Sequence, residues 1–242
     1  METINCLGYS VYWKDFLLKS FSGKKTVINT INPHSYCEAK KDSLYSKALH
    51  QSDILLPDGI GIVWAIKTLK HQKVNRIAGS DLHIGLIQRI NKSGGKVFYM
   101  GSSSSTLQKI CERIKIEYPN IIVSTYSPPY KPVFTVEENT KILEAINQFQ
   151  PDVLFVGMTA PKQEKWVYQH KDQINAKVIA SIGAVFDFYA GTIKRSGKFW
   201  ISLGLEWLPR LLREPKRLWR RNFISTPCFI LDVLLAKLKN KK

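Results

Sequence analysis

Asp58 is the carboxylate in this sequence best placed to do chemistry. It stands in Pro57-Asp58-Gly59-Ile60-Gly61, directly after a short apolar run. Gly59 and Gly61 let backbone approach a ligand closely, and a helix starting there would offer free N–H groups to an anion. An Asp at that point can take a proton from a hydroxyl, or it can cap the helix Ile60–Leu69. Further polar groups follow other apolar runs, at Thr30-Ile31-Asn32-Pro33, at Gly101 with Ser102 to Ser105, and at Gly183-Ala184 followed by Phe186-Asp187. Gly101 and its serines could cradle a phosphate or cap the helix beyond them. In Gly157-Met158-Thr159-Ala160-Pro161-Lys162-Gln163-Glu164, Pro161 suits a first helical position, so Gln163 and Glu164 project from the first turn toward the strand ends. A Gln held there can bond a sugar hydroxyl or a nucleobase, or simply face solvent. Arg76 and Asp81 flank Gly79, which admits either an internal ion pair or contact with a ligand.

The elements that must position these groups have a regular order. Six apolar runs read as buried strands: Thr26–Ile31, Asp53–Leu56, Val97–Met100, Ile121–Thr125, Val153–Val156 and Val178–Ile182. Segments of helical period separate them: His34–Gln51, Ile60–Leu69, Asp81–Asn91, Thr106–Tyr118, Val136–Phe149 and Lys162–Ile174. This alternation predicts an α/β fold, a Rossmann-like, mostly parallel sheet with helices on both faces. Asp81 is expected to cap one helix, and Thr135 with Glu138 to form a capping box. In such a sheet ligands bind beyond the carboxyl ends of the strands, where the polar groups that follow the apolar runs fall.

Several chemistries are disfavoured. The glycine fingerprint of a dinucleotide site does not complete, because Trp64 stands where its third Gly belongs, and there is no Walker A pattern. His34, His50, His71, His83 and His170 show no H-x-H or H-x-x-x-H spacing, and no D-x-D occurs, so neither metal nor cofactor is expected. The four cysteines are scattered and read as separate reduced thiols. Met1 to Gly8 lacks a secretory pattern, and the longest apolar stretch, Phe223–Leu238, is broken by Pro227 and Asp232. A cytosolic protein that can touch a membrane is therefore expected.

Charge singles out the C-terminus. The 242 residues carry +17, and the segment from Lys194 onward holds 13 basic residues against three acidic ones, +10 of that total. At helical spacing Leu208, Leu211, Leu212, Leu218 and Trp219 share one face, opposite Arg210, Arg213, Arg217, Arg220 and Arg221, with Pro215 kinking or splitting the helix. A basic amphipathic helix with Trp and Leu suits an anionic membrane surface. Its apolar side would favour self-association into a homo-oligomer away from the membrane. Nucleic acid is not expected, since no recognition signature is present. The organisation expected is residues 1–194 as the α/β body and 195–242 as a helical appendage.

Read together, these motifs resemble the WecG/TagA/CpsF glycosyltransferase family. They occur in order: Thr30-x-Asn32; Pro57-Asp58-Gly59-Ile60-Gly61; Arg76-x-x-Gly79-Ser80-Asp81-Leu82; Ala160-Pro161-Lys162-Gln163-Glu164; Gly183 to Gly191; and Gly204 to Arg221. The resemblance implies an inverting, metal-independent transfer from a UDP-sugar, such as UDP-N-acetylmannosamine, to a polyprenyl-diphosphate-linked sugar in cell-surface polysaccharide synthesis. It places the enzyme peripherally on the inner face of the cytoplasmic membrane. It makes Asp58 the base, gives Thr30, Asn32 and Gln163 the lining of the sugar-nucleotide pocket, and has Arg217, Arg220 and Arg221 close over the site. Gly59, Gly61, Arg76, Asp81, Gly101, Glu164 and Asp187 complete the expected substrate-binding set. The alternative weighed beside it is a membrane-associated sugar-nucleotide-binding scaffold without turnover.

Overall fold

A hairpin that the apolar pattern does not announce opens the chain: β1 (Thr3–Cys6) pairs antiparallel with β2 (Tyr9–Tyr12). Its turn is Leu7-Gly8, both at positive φ, rather than the Asn-Gly pair that marks such turns in a sequence. In this computed structural model, which describes residues 2–14, 24–193, 200, 207–213 and 215–239, the six apolar runs become one six-stranded sheet. They are β3 (Thr26–Ile31), β4 (Ile54–Pro57), β5 (Gly95–Gly101), β6 (Ile121–Tyr126), β7 (Val153–Gly157) and β8 (Val178–Ser181). The lateral order is β4-β3-β8-β7-β5-β6, and every pairing is parallel. The α/β reading holds.

The helices follow the predicted segments with one split. Instead of one helix over His34–Gln51 there are two, α1 (Pro33–Ala39) and α2 (Ser43–His50). The first closes at its C-cap Lys40, and Asp42 caps the second, its carboxylate accepting the Tyr45 N–H at 3.0 Å. Then come α3 (Ile60–Lys70), α4 (Gly79–Ser93), α5 (Ser104–Glu117), α6 (Val136–Phe149), α7 (Lys162–His170) and α8 (Val185–Tyr189). The Thr135–Glu138 capping box at α6 forms as expected. The C-terminal segment contains α9 (Trp207–Arg213), α10 (Pro215–Arg220), a π-helical turn over Arg221–Ser225, and α11 (Thr226–Lys239). The expected unit boundary at 194/195 lies outside the described residues.

Alternation along the strands builds two cores. Ile28, Ile54, Leu56, Tyr99, Phe155 and Ala180 point to the face that α4, α5 and α8 cover. Val27, Phe98, Met100, Leu154, Val156 and Ile179 point to the face that α6 and α7 cover. The helix after β5 and the helix after β7 thus leave these adjacent strands toward opposite faces. That divergence opens a crevice beyond their carboxyl ends, where Gly101 and Gly157 pair in register. A third cluster joins the hairpin, α1, α2 and α3 to Phe229 and Val233 of α11.

Candidate active site

The Thr30-x-Asn32 and Asp58-Gly59-x-Gly61 motifs meet at the tips of neighbouring strands. Thr30 pairs with Leu56 and Ile31 with Pro57, and the Asp58 N–H donates to the Ile31 carbonyl at 2.9 Å. A Cβ on Gly61 would fall 2.5 Å from Pro33 Cγ, so α3 can start against α1 only with glycine there. Gly59, at φ 88°, is the N-cap of α3. Asp58 stands half-buried, one residue before that N-cap. Arg76 belongs to the same tip, because the next residue, Ile77, donates its N–H to the Pro57 carbonyl at 3.0 Å.

Asn32 has a local task as well. Its Oδ1 accepts the N–H groups of His34 and Ser35, each at 3.0 Å, which caps α1 and leaves the amide's Nδ2 for any ligand. Asp81 does not cap α4 as expected. Ala78 is the N-cap, and Asp81, in the first turn, reaches back to accept the Ala78 N–H at 2.9 Å. The chain at Gly79 runs so close to the β8–α8 loop that a Cβ would sit 3.2 Å from Val185 Cγ2 and 3.4 Å from the Ile182 carbonyl.

At the crevice, Gly101 adopts φ 123°, and a Cβ on it would meet the Gly157 carbonyl oxygen at under 2.5 Å. Ser103 caps α5 through the Thr106 N–H at 3.2 Å. Asp187, in α8, accepts the Thr192 hydroxyl at 3.4 Å, and its carbonyl takes the Thr192 and Ile193 N–H groups. Pro161 is the N-cap of α7 rather than its first residue. Gln163 and Glu164 are not solvated: they are 4% and 3% exposed. The Gln163 Oε1 accepts the Met158 N–H at 3.2 Å, and its Nε2 donates to Glu164 Oε1 at 2.9 Å. Burial pushes the Glu164 carboxyl up to about 7.

The C-terminal helices come to the same strand tips. Ser225 Oγ and His34 Nδ1 share a hydrogen bond at 2.9 Å, and the Cys37 thiol donates to the Ser225 carbonyl at 3.2 Å. Asp232 accepts from the Tyr36 hydroxyl at 3.0 Å and from Lys40 Nζ at 2.7 Å. The Phe229 ring lies edge-on to Tyr36 with centroids 5.3 Å apart. Arg221 is half-buried, and its charge acts on both His34 and Tyr45; together with burial it holds the His34 imidazole below its usual range. Arg220 is exposed, its guanidinium 5.5 Å from the Trp219 ring centroid. Arg217 lies on α10, and its side chain is outside the described residues. Sequence reasoning missed His34, Ser225 and Asp232 as docking groups; the spacing of Phe229 and Val233 along one helix face was the only hint.

Large apolar side chains are exposed in these elements, among them Ile60 of α3 and Phe223, Leu231, Leu235 and Leu238 of the C-terminal segment. No helix among the described residues is long and apolar enough to cross a membrane.

Comparison with known proteins agrees with the motif order. The model of the "Glycosyl transferase WecG/TagA/CpsF family" matches residues 3–242. A Bacillus subtilis (strain 168) protein named N-acetylglucosaminyldiphosphoundecaprenol N-acetyl-beta-D-mannosaminyltransferase is 34% identical over 230 residues, covering 94% of this chain and 87% of the relative. A Bacillus spizizenii protein of the same name is 33% identical, with 87% and 79% covered. One from Staphylococcus aureus (strain MW2) is 29% identical, with 93% and 87% covered.

Proposed function

The chain belongs to the WecG/TagA/CpsF family and is a glycosyltransferase; from that premise we propose that it moves an N-acetylmannosamine-type sugar from a UDP-sugar to a polyprenyl-diphosphate-linked N-acetylglucosamine, with inversion and without a metal. The names of the relatives support the acceptor and the transferred sugar, and they favour turnover over a silent scaffold.

In this reading Asp58 accepts the proton of the acceptor hydroxyl as its oxygen attacks the anomeric carbon. The anomeric C–O bond to UDP breaks on the opposite face, and the diphosphate leaves with the bonding electrons. Positive charge must meet that diphosphate, and arginines supply it with forked donors that match its oxygens. Arg217, Arg220 and Arg221 take this role. Thr30, Asn32, Arg76, Asp81 and Asp187 hold the sugar nucleotide at the strand tips, and the glycines at 59, 61 and 101 let it approach backbone.

The observation that carries the reading is the docking of α11 on α1 and α3, the two helices that begin at the Thr30-x-Asn32 and Asp58-Gly59-x-Gly61 motifs. This docking brings Arg221 into electrostatic reach of His34, two residues beyond Asn32. The exposed apolar side chains of the same segment, with Lys237 and Lys239, support a peripheral seat on the anionic inner leaflet, where a lipid-diphosphate acceptor resides.

The test is a panel of UDP-sugars incubated with a lipid-diphosphate-N-acetylglucosamine analogue, with and without EDTA, scored by product mass. One hexosaminyl added in both conditions is expected. No product with any donor, or product only without EDTA, refutes the reading.

A further inference from the structure

Three buried polar atoms have no hydrogen-bond partner among the described residues: Asn29 Oδ1, Ser181 Oγ and Glu164 Oε2. They come from three elements but converge on one side of the sheet. Asn29 and Ser181 are the next pair in the parallel register that matches Ile28 to Ala180. Alternation turns both toward the side of Val27 and Ile179, which α7 covers. α7 runs back from the strand tips, with Val167 packed in the cluster that contains Ile179. Glu164, nearly one turn earlier, therefore lies over the tip, where Ser181 ends β8. α2 closes the other side: Asn29 Nδ2 donates to Ser52 Oγ at 2.9 Å, and that hydroxyl donates to the Ala48 carbonyl at 3.1 Å.

Counting protons decides what this chamber needs. Asn29 Oδ1 can only accept. The Ser181 hydroxyl has one proton to give and can accept another. An ionised Glu164 only accepts, and it would bury its charge with Oε2 unpartnered among the described residues, which is costly. A protonated Glu164 removes the charge. No two of these three atoms bond each other directly, so a water between them would accept the Glu164 Oε2–H, pair with the Ser181 hydroxyl and donate to Asn29 Oδ1, and the Asn29 Nδ2 carries the chain on through Ser52 to the end of α2. A polar chamber with three convergent partners is also what a buried water requires.

We propose that Glu164 is a proton-carrying positioning residue, completing through Ser181, Asn29 and one bridging water a buried hydrogen-bond chain that fixes the loops after β7 and β8. The near end of the chain touches the crevice directly. Gln163 Nε2 donates to Glu164 Oε1, Gln163 Oε1 holds the Met158 N–H, and the same amide lies 3.6 Å from where a Cβ on Gly183 would stand. The charged and titratable neighbours are consistent with a neutral acid. Tyr45 of α2 faces Glu164, and burial raises that phenol well above its usual range. Asp42 on the rim is paired with Lys165 at 2.8 Å, and Arg221 reaches Tyr45. Burial, the first cause, holds the Glu164 carboxyl up to about 7.

The proposal concerns the folded chain and goes beyond the transferase reading; only its kinetic arm rests on turnover. The full-length chain, labelled with carboxyl-13C glutamate, is titrated by NMR beside Glu164→Gln. One resonance, missing in the variant, is expected to titrate near pH 7, and its appearance in the ordinary carboxylate range overturns the proposal. In the kinetic arm, Glu164→Ala and Ser181→Ala each lower kcat/KM by roughly 10²-fold, the scale of a misplaced site. Glu164→Gln, which still donates but cannot ionise, loses the alkaline limb of the kcat/KM profile. A Glu164→Gln variant as impaired as Glu164→Ala at pH 6, with the limb retained, also overturns it. Failure of the transferase reading instead gives no turnover in any variant while the NMR titration stands.

Discussion

Replacing Glu164 by Gln should stabilise the folded chain, and should do so more at alkaline than at acid pH. The folded protein holds the Glu164 proton up to about pH 7, whereas its unperturbed value is 4.5. Below pH 4.5 both folded and unfolded states carry the proton, and the native state has its full benefit. As pH rises from there toward 7, unfolding releases a proton that folding retains, so the native state loses stability. At about 1.4 kcal/mol per unit, the 2.5-unit interval between those two values amounts to about 3 kcal/mol. Above pH 7 the loss is complete and the dependence flattens. Gln has no proton to release, so this slope disappears, while its Nε2 can still donate toward Ser181 and Asn29. Urea unfolding of both proteins between pH 4.5 and 8.5 measures the effect directly. The variant's advantage over the parent should grow by about 3 kcal/mol across that range. His34 acts oppositely, since its depressed imidazole costs stability as pH falls below 6.5, but it is common to both proteins and cancels in the difference. Parallel stability curves would show that Glu164 is ionised throughout and would refute the reasoning.

Three further outcomes are expected. Asp58→Asn should lower kcat by roughly 10²–10⁴ while calorimetry finds UDP affinity retained; an unchanged kcat removes Asp58 as base. Phe229→Ala should cost about 3–5 kcal/mol in urea unfolding and speed proteolysis between residues 213 and 225, because that ring is 1% exposed against Tyr36; a neutral result would mean α11 does not dock there. Replacing Lys237 and Lys239 together by Ala should weaken sedimentation with phosphatidylserine vesicles by roughly 30-fold at low salt, at about 1 kcal/mol per charge. An equal loss on neutral vesicles would mean that charge is not the attraction.

The sheet was legible because its inner strands are buried on both faces. Runs such as Val153-Leu154-Phe155-Val156 have no polar interruption, and the helices between them carry their own period. The β1–β2 hairpin was hidden because its strands are four residues each and its turn uses a non-glycine residue at positive φ, Leu7. The break between α1 and α2 was hidden because Lys40-Lys41-Asp42 continues the helical spacing, and only the Asp42 cap reveals the restart. Asp58, Gly59 and Gly61 could be placed at a strand tip from sequence alone, since tip position follows from strand position. The fate of Gln163 and Glu164 could not, because whether a polar pair on a first turn faces water depends on what packs over it, here α2 with Tyr45. Asn29 and Ser181 were invisible for the same reason: each sits within an otherwise apolar run and acquires meaning only from its neighbour across the register.

The C-terminal helix links these levels. Phe229 and Val233 are as buried as any residue of the sheet, in a cluster with Tyr36, Ile62 and Ala65. Deleting the basic segment would therefore open a core as well as remove arginines, and loss of activity on deletion would not separate the two effects. Point changes on the outer face do separate them, because Leu231, Leu235 and Leu238 lie exposed beside Lys237 and Lys239. A helix about 10 Å across has one side against Gly61, where a Cβ would come 3.8 Å from Phe229 Cε1. Its other side is the proposed membrane seat. On that geometry the Asp58-Gly59-x-Gly61 tip stands roughly one helix diameter above the lipid surface. An acceptor sugar borne on a lipid diphosphate must be met close to the headgroups, so the proposed seat and the proposed base at Asp58 require each other: a helix much wider than this one would lift the carboxylate out of the acceptor's reach.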